Sequence, residues 1–175
     1  MSALIKNKSF SLLRPLLVLW FLALIITGQA FSQNGKWNKL PGAVAFVNDF
    51  EDLLTRPQEH YLDSLIRFFE KKTTDQIAIV TIDTFMTDRP SFDDYVLRLS
   101  NKWGVGQKGK NNGIVIAISK GFRMMRIETG LGLEAVFPDA EAKSIIDNHF
   151  LPYFKKGQYF EGISNGLQAI IRKLQ

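Results

Sequence analysis

Residues 113–119 read GIVIAIS, seven positions with no charge and no polar alternation. A strand with one wet face alternates apolar and polar residues, whereas an unbroken β-branched run of strand length has to be covered on both faces. That requirement puts helices on each side of a sheet and so points to three layers. Residues 76–83, QIAIVTID, supply a second buried strand of the same kind. Residues 123–128, RMMRIE, follow GIVIAIS through a tight Lys120-Gly121-Phe122 turn, which makes a hairpin and therefore a mixed sheet.

The helices are marked by their caps and periods. Thr55 with Gln58 has capping-box spacing around Pro57 and opens a helix with Leu62, Leu65, Ile66 and Phe69 on its apolar side. Ser91 with Asp94 starts a second, where Phe92, Tyr95, Val96, Leu99 and Trp103 recur at helical spacing. Asp139 is expected to cap a third, with Ala142, Ile145, Ile146 and Phe150 inward, until Pro152 interrupts it. Residues 159–174 form a fourth around Ile163, Leu167, Ile170, Ile171 and Leu174. The expected fold is a three-layer α/β/α sandwich around a small mixed sheet, Rossmann-like but without a nucleotide loop.

The first 32 residues stand apart from this pattern. Lys6, Lys8 and Arg14 precede an apolar run, LLVLWFLALII, and Ala30 and Ser32 place small side chains where a signal peptidase reads. The run is shorter than the roughly 20 residues that span a bilayer. Residues 1–32 therefore read as a signal peptide cut after Ser32, with an uncleaved anchor as the competing reading. Residues 33–42 are a short polar linker, and residues 43–175 are one domain, with no second apolar run long enough to span a membrane. Of 22 basic residues three lie in the leader, so 19 remain against 17 acidic ones. The sequence pI near 9.5 therefore gives no ground for a nucleic-acid partner. The absence of cysteine removes disulfides, thiolate metal sites and cysteine nucleophiles. An exported protein, periplasmic or secreted, is the expectation.

Two motifs look catalytic and fail on context. Residues 104–111, GVGQKGKN, fit G-x-G-x-x-G and nearly fit a phosphate loop, with Asn111 in place of the hydroxyl residue. Phosphate loops need a strand before the glycines and a helix N-terminus after them. Here a helix ends at about Trp103 and a strand begins at about Gly113, so no nucleotide is expected. Gly162-Ile163-Ser164-Asn165-Gly166 matches a nucleophile elbow, but Ser164 lies inside a helical pattern and neither His60 nor His149 is marked as its base. The bland reading is a helix with two small residues where a neighbour packs closely. The two histidines lie on different helices and suggest no zinc site.

Oxygen ligands are the remaining chemistry. Residues 47–52, VNDFED, concentrate three carboxylates in what reads as a loop before the first helix; Asn111 and Asn112 add amide oxygens, and Glu128 leaves the third strand beside Gly130. Calcium and magnesium take such donors. The competing reading makes Asp49 and Asp52 helix-proximal charges and Glu128 an edge-strand residue on a solvated face.

VNDFEDLL, QIAIVTID, WGVGQKGKNNGIVIAI, RIETGLGLEAVFPDAEA and PYFKKGQYFEGI, in that order, resemble the TPM domain, over about residues 43–171. The resemblance implies an α/β/α sandwich, often exported, with divalent-cation binding in some members. It also implies roles in repair or modulation of protein complexes, and acid phosphatase activity for a plant member. Carried over by position, it singles out Asp49, Asn112 with Gly113, Gly130, Gly132 and Asp139, with Trp103 and Gly104 inside the glycine-loop motif. Many members carry Asp where this chain has Asn111, which lowers the expected charge of the site.

Two functions follow as expectations. One is a non-catalytic module that binds calcium or magnesium weakly through Asp49, Asn111, Asn112 and Glu128, on the order of 10⁻⁴ to 10⁻³ M, and docks onto an envelope protein or complex. The alternative is a metal-dependent phosphomonoesterase in which Lys108, Lys110 or Arg126 offsets developing charge.

Overall fold

The computed structural model describes residues 40–175. The leader, its cleavage site and most of the linker expected at residues 33–42 lie outside them. Strands β1 (Val47–Asp49), β2 (Gln76–Thr81), β3 (Gly113–Ser119) and β4 (Met124–Thr129) form one sheet in chain order. The first three run parallel, and β4 returns antiparallel to β3. The mixed sheet and hairpin are as the sequence leads one to expect.

Side-chain parity divides the sheet into unlike faces. Ile77, Ile79, Ile114, Ile116, Ile118 and Ile127 share one face and belong to a single buried cluster with Leu62, Ile66, Phe69, Phe150, Ile163 and Ile170. The helices covering this face are α1 (Arg56–Thr73) and the C-terminal group: α3 (Asp139–Ile145), a π turn (Ile146–Phe150), α4 (Leu151–Phe154) and α5 (Tyr159–Leu174). The opposite face carries the smaller Ala78, Val80, Val115 and Ala117. Helix α2 (Phe92–Trp103) covers it with Phe92, Tyr95, Val96 and Leu99, all buried, and Asp93 of α2 reaches Arg126 of the same face at 3.8 Å. Three layers result.

Local chemistry sets the helix ends. The Gln58 side chain accepts the Thr55 amide at 2.9 Å, closing the start of α1, and Thr74 at φ +70 ends that helix. Gly104, at φ +62, ends α2 in the left-handed conformation that glycine adopts without strain.

Three local expectations change. Residues Val47–Asp49 are a strand and not part of a loop, paired in register with Ile79, Val80 and Thr81. Three residues are too few to display a period of two. Asp139 is the first helical residue of α3, preceded by Pro138 at the cap, so its charge faces the helix dipole without capping a backbone amide. Pro152 does not stop the helix: the preceding turn widens so that the Leu151 amide bonds Ile146 O, five residues back, and the chain continues as α4. A proline near a helix start has no bond to forfeit. No helix among the described residues is long and apolar enough to cross a membrane.

Candidate functional site

The candidate residues fall at two ends of the sheet. Asp49 pairs with Thr81, which pairs with Ile118 near the C-terminal end of β3, whereas Asn112 precedes Gly113 at its start. Five residue steps along a strand separate the two levels by about 17 Å. One cation cannot be shared by Asp49 and the Asn111, Asn112 and Glu128 group, so the four-residue ligand set expected from sequence does not assemble.

At the N-terminal end of β2 and β3 the glycine loop is built by backbone contact. A side chain on Gly113 would meet Val105 O, one on Gly130 would meet Asn111 O, and one on Gly132 would meet Lys110 O. Gly130 and Gly132 of the turn after β4 thus let that turn touch the glycine loop main chain to main chain, Gly132 N donating to Asn111 O at 3.0 Å, while Gly106 and Gly113 pack the glycine loop against itself. No helix begins there; the helix ends at Trp103, whose Nε1 donates to Pro41 O at 2.8 Å. Asn112 is buried and its amide is spent: Oδ1 accepts the Gln107 amide, and Nδ2 donates to Thr74 O and Asp75 Oδ1. Asn111 is exposed in a left-handed conformation at φ +51 and lines a cleft of about 550 Å³ together with Gly104, Gly130, Glu128 and Glu134. Glu128 in that cleft is held by Arg126 Nε at 2.6 Å. Lys110 Nζ donates to Thr74 Oγ1. Of the cations invoked for phosphoryl chemistry, Lys108 and Lys110 therefore sit at this end with Asp49 at the other, while Arg126 pairs with Ala117 near the C-terminal end of β3 but on the opposite face from Asp49.

The C-terminal end is richer. The loop leaving β1 leads to α1 on one face and the loop leaving β2 leads to α2 on the other. A crevice opens at the strand ends where consecutive connections diverge in this way. Asp49 Oδ1 accepts the Thr81 hydroxyl at 2.5 Å and Oδ2 accepts the Leu54 amide at 2.7 Å, while Thr81 Oγ1 accepts the Glu51 amide at 2.9 Å. Both oxygens of Asp49 are thus used to bind β1 to β2 and to shape the following loop. Glu51 reaches across to the β3–β4 turn, where its two oxygens accept the amides of Lys120 at 2.8 Å and Gly121 at 3.0 Å. Burial pushes the Glu51 carboxyl above its ordinary 4.5; the two amides oppose this, and the charges of Asp83 and Asp49 add to it. Asp83, whose Oδ1 accepts the Phe85 amide at 3.2 Å, shares with Glu51 a hollow of about 460 Å³ that also touches Lys120, Arg123 and Tyr159.

Among the described residues no three His, Cys, Asp or Glu side chains converge as a ready-made metal cage. The sequence reading had Glu51 in its acidic cluster but not in its ligand set, and it passed over Asp83, Lys120 and Arg123. The available signal was position: Thr81-Ile82-Asp83 and Ser119-Lys120-Gly121 each follow a parallel strand at its C-terminal end, where α/β sheets carry their ligands.

The second motif set aside from sequence is also explained by packing. A side chain on Gly162 would meet the Phe154 ring and one on Gly166 the Phe150 ring. Ser164 Oγ accepts Gln168 Nε2 at 3.1 Å, and His149 Nδ1 lies 2.8 Å from Asn165 Oδ1. Here the small residues admit aromatic rings close to the helix axis, as the bland reading holds.

Comparisons with known proteins agree with this architecture. The family model described as TPM domain matches residues 47–173. The N-terminal domain of a P. gingivalis protein, solved by NMR, is 34% identical with a TM-score of 0.67, covering 74% of this chain and 81% of that one. The BA42 protein of the psychrophilic bacterium Bizionia argentinensis is 21% identical with a TM-score of 0.60, covering 71% of this chain and 83% of that one. The N-terminal domain of the cg2496 protein of Corynebacterium glutamicum is 12% identical with a TM-score of 0.58, covering 79% and 85%. The last two likenesses concern the fold alone. Among curated proteins, none matches the chain. With a family model over most of its described residues and a solved relative at one-third identity, the chain belongs to the TPM domain family.

Proposed function

We propose that this TPM domain is an exported, non-catalytic module that docks onto a protein complex of the cell envelope and takes up calcium or magnesium weakly. The observation that carries the reading is how the carboxylates at the strand C-termini are employed. Asp49 and Glu51 accept hydrogen bonds from the fold on both oxygens, so neither is a free base or nucleophile. A surface built this way recognises; it does not turn over substrate. The cation belongs in the hollow of Glu51 and Asp83, where a divalent charge relieves the repulsion that, together with burial, raises the Glu51 pKa. Since Glu51 has to give up turn amides to become a ligand, the constant is expected near 10⁻³ M, the range of weak extracellular sites. Phosphatase chemistry is the less supported reading, because Lys108 and Lys110 lie at the opposite end of the sheet from Asp49, and Arg126, on β4 and on the other face of the sheet, is already paired with Glu128.

One sample tests both. An NMR titration of residues 33–175 with calcium chloride is expected to move the amides of Glu51, Asp83, Lys120 and Gly121 with millimolar saturation, and Asp83→Asn is expected to weaken it. The same sample with calcium or magnesium is expected to release no phosphate from p-nitrophenyl phosphate above the buffer rate. Micromolar saturation at Asn111 and Glu128, or turnover lost in Arg126→Ala, overturns the reading.

A further inference from the structure

Next to the acidic hollow lies a second one of different character, about 500 Å³, between the β3–β4 turn and the α4–α5 corner. Its floor is the isoleucine face of the sheet, where Ile118 pairs with Met125. Its wall is Leu151 and Phe154 of α4, brought there by the widened π turn. That wall is braced by rings: Phe150 and Phe154 meet edge to face at 5.9 Å between centroids, and Phe154 and Tyr159 lie at 5.0 Å. The volume falls within the range of sites for small molecules, and methionine adapts to apolar bodies of varied shape.

The rim is basic. Lys120, Arg123 and Lys155 line this hollow, and no carboxylate does. Neither Arg123 nor Lys155 has an ion-pair partner among the described residues. The Lys120 ammonium stands 5.8 Å from the centre of the Tyr159 ring. The nearby acids, Glu51 and Asp83, line the adjoining hollow, with Glu51 bound to the turn amides. Arg123 is held at φ +55, a left-handed conformation that a long side chain seldom adopts, at the end of the turn where its amide bonds Lys120 O before β4 begins. Strain of this kind collects where a side chain has to be aimed. A braced apolar wall under three cations free of carboxylate partners is complementary to a molecule with an apolar body and one anionic end.

We propose that this cleft binds a small amphiphilic carboxylate, its chain of about eight carbons against Met125, Leu151 and Phe154 and its head on the Arg123 guanidinium. Arginine suits the head because its planar fork matches a carboxylate with two parallel bonds. The cleft adjoins the cation hollow proposed above, with Lys120, Arg123 and Tyr159 lining both, but its apolar wall needs no cation, so it stands whether or not that reading does. For about ten non-hydrogen atoms the constant is on the order of 10⁻⁴ M.

Sodium octanoate, titrated into residues 33–175 and followed by amide NMR shifts, is the direct probe. Saturable shifts are expected at residues 119–125 and 151–159. Octanol is expected to bind about tenfold more weakly, and acetate and octylammonium to leave these amides unmoved. Arg123→Gly is the decisive variant, because glycine accepts φ +55 and the turn keeps its fold while the cation is lost. It is expected to reduce octanoate affinity about tenfold and to leave octanol unchanged. Equal affinity for octanoate and octanol, unchanged octanoate binding in Arg123→Gly, or shifts centred elsewhere would overturn the assignment. So would the absence of octanoate shifts alongside sedimentation with phosphatidylglycerol vesicles that Arg123→Gly abolishes, which would make the rim a membrane surface.

Discussion

Asp49 is the residue on which the sequence reading and the structure differ most, and its replacement separates a ligand from a structural acceptor. Its carboxylate receives the Thr81 hydroxyl at 2.5 Å and the Leu54 amide at 2.7 Å. Thr81 is fully buried and Leu54 nearly so, at 0% and 8% exposure, so water cannot readily replace the lost acceptor. Hydrogen bonds to a charged group contribute about 1.5–3 kcal/mol each, and a buried donor left unpaired costs about as much. Asp49 is itself only partly buried, which favours the lower end, so Asp49→Ala is expected to cost about 3 kcal/mol. With a urea dependence of about 2 kcal/mol per molar, the midpoint falls by about 1.5 M, while a domain of ordinary stability stays folded in buffer. Asp49→Asn keeps one acceptor and is expected to lose about half as much. Urea unfolding followed by Trp103 fluorescence reads both. A midpoint for Asp49→Ala within about 0.3 M of the parent, with calcium shifts abolished, would show that Asp49 serves a cation and that the structural argument is wrong.

Two further outcomes follow from the packing and from the charge at the strand ends. Gly166→Ala adds about 1 kcal/mol of helix propensity but drives a methyl into the ring of fully buried Phe150, and overpacking of this kind costs about 1–3 kcal/mol. A net loss of about 1–2 kcal/mol by thermal unfolding is expected, and Phe150→Leu in the same chain should make Gly166→Ala neutral or better; a loss that persists there would refute the contact. For Glu51, whose folded pKa lies above 4.5, the unfolded chain ionises first as the pH rises. Its contribution to stability is therefore undiminished below 4.5 and declines from there until the folded carboxyl has itself ionised. Carbon-13 NMR of the carboxyl should find it titrating above 4.5, and Asp83→Asn should lower it without restoring the ordinary value, because burial is the larger cause; titration below 4.5 in the parent would contradict the geometry.

The architecture was legible because its signals are local and repeated. GIVIAIS states its own need for two covers, and the Thr55–Gln58 box and Gly104 mark helix ends with single residues. Strand β1 was not legible, since three residues carry no period and its pairing with β2 is set by tertiary contact. The site was half legible for a different reason. Oxygen-bearing residues can be collected from a sequence, but their grouping depends on which strand end they follow. Asp49 follows the C-terminal end of β1, and Asn112 precedes the N-terminal end of β3. Arg123 left no local signal, because nothing in Lys-Gly-Phe-Arg announces that the arginine, and not the glycine, takes the left-handed position.

Glu51 gives the C-terminal end its character. A carboxylate that accepts two backbone amides acts as a strut between the segment after β1 and the turn that carries Lys120 and Arg123. Transferring it to a cation forfeits charge-assisted bonds of about 1.5–3 kcal/mol each, and only the surplus of the metal–oxygen interaction appears as affinity. A hollow in this position is therefore a weak site by construction, the more so because Lys120 and Arg123 line it beside the two carboxylates. The strut also keeps the acid's oxygens turned toward the backbone, leaving the guanidinium of Arg123 without a carboxylate of its own on the neighbouring side. Lys120 and Arg123 thus line two adjoining hollows, beside Glu51 and Asp83 in one and beside the apolar Leu151 and Phe154 in the other, and together these can meet a partner that itself carries both signs.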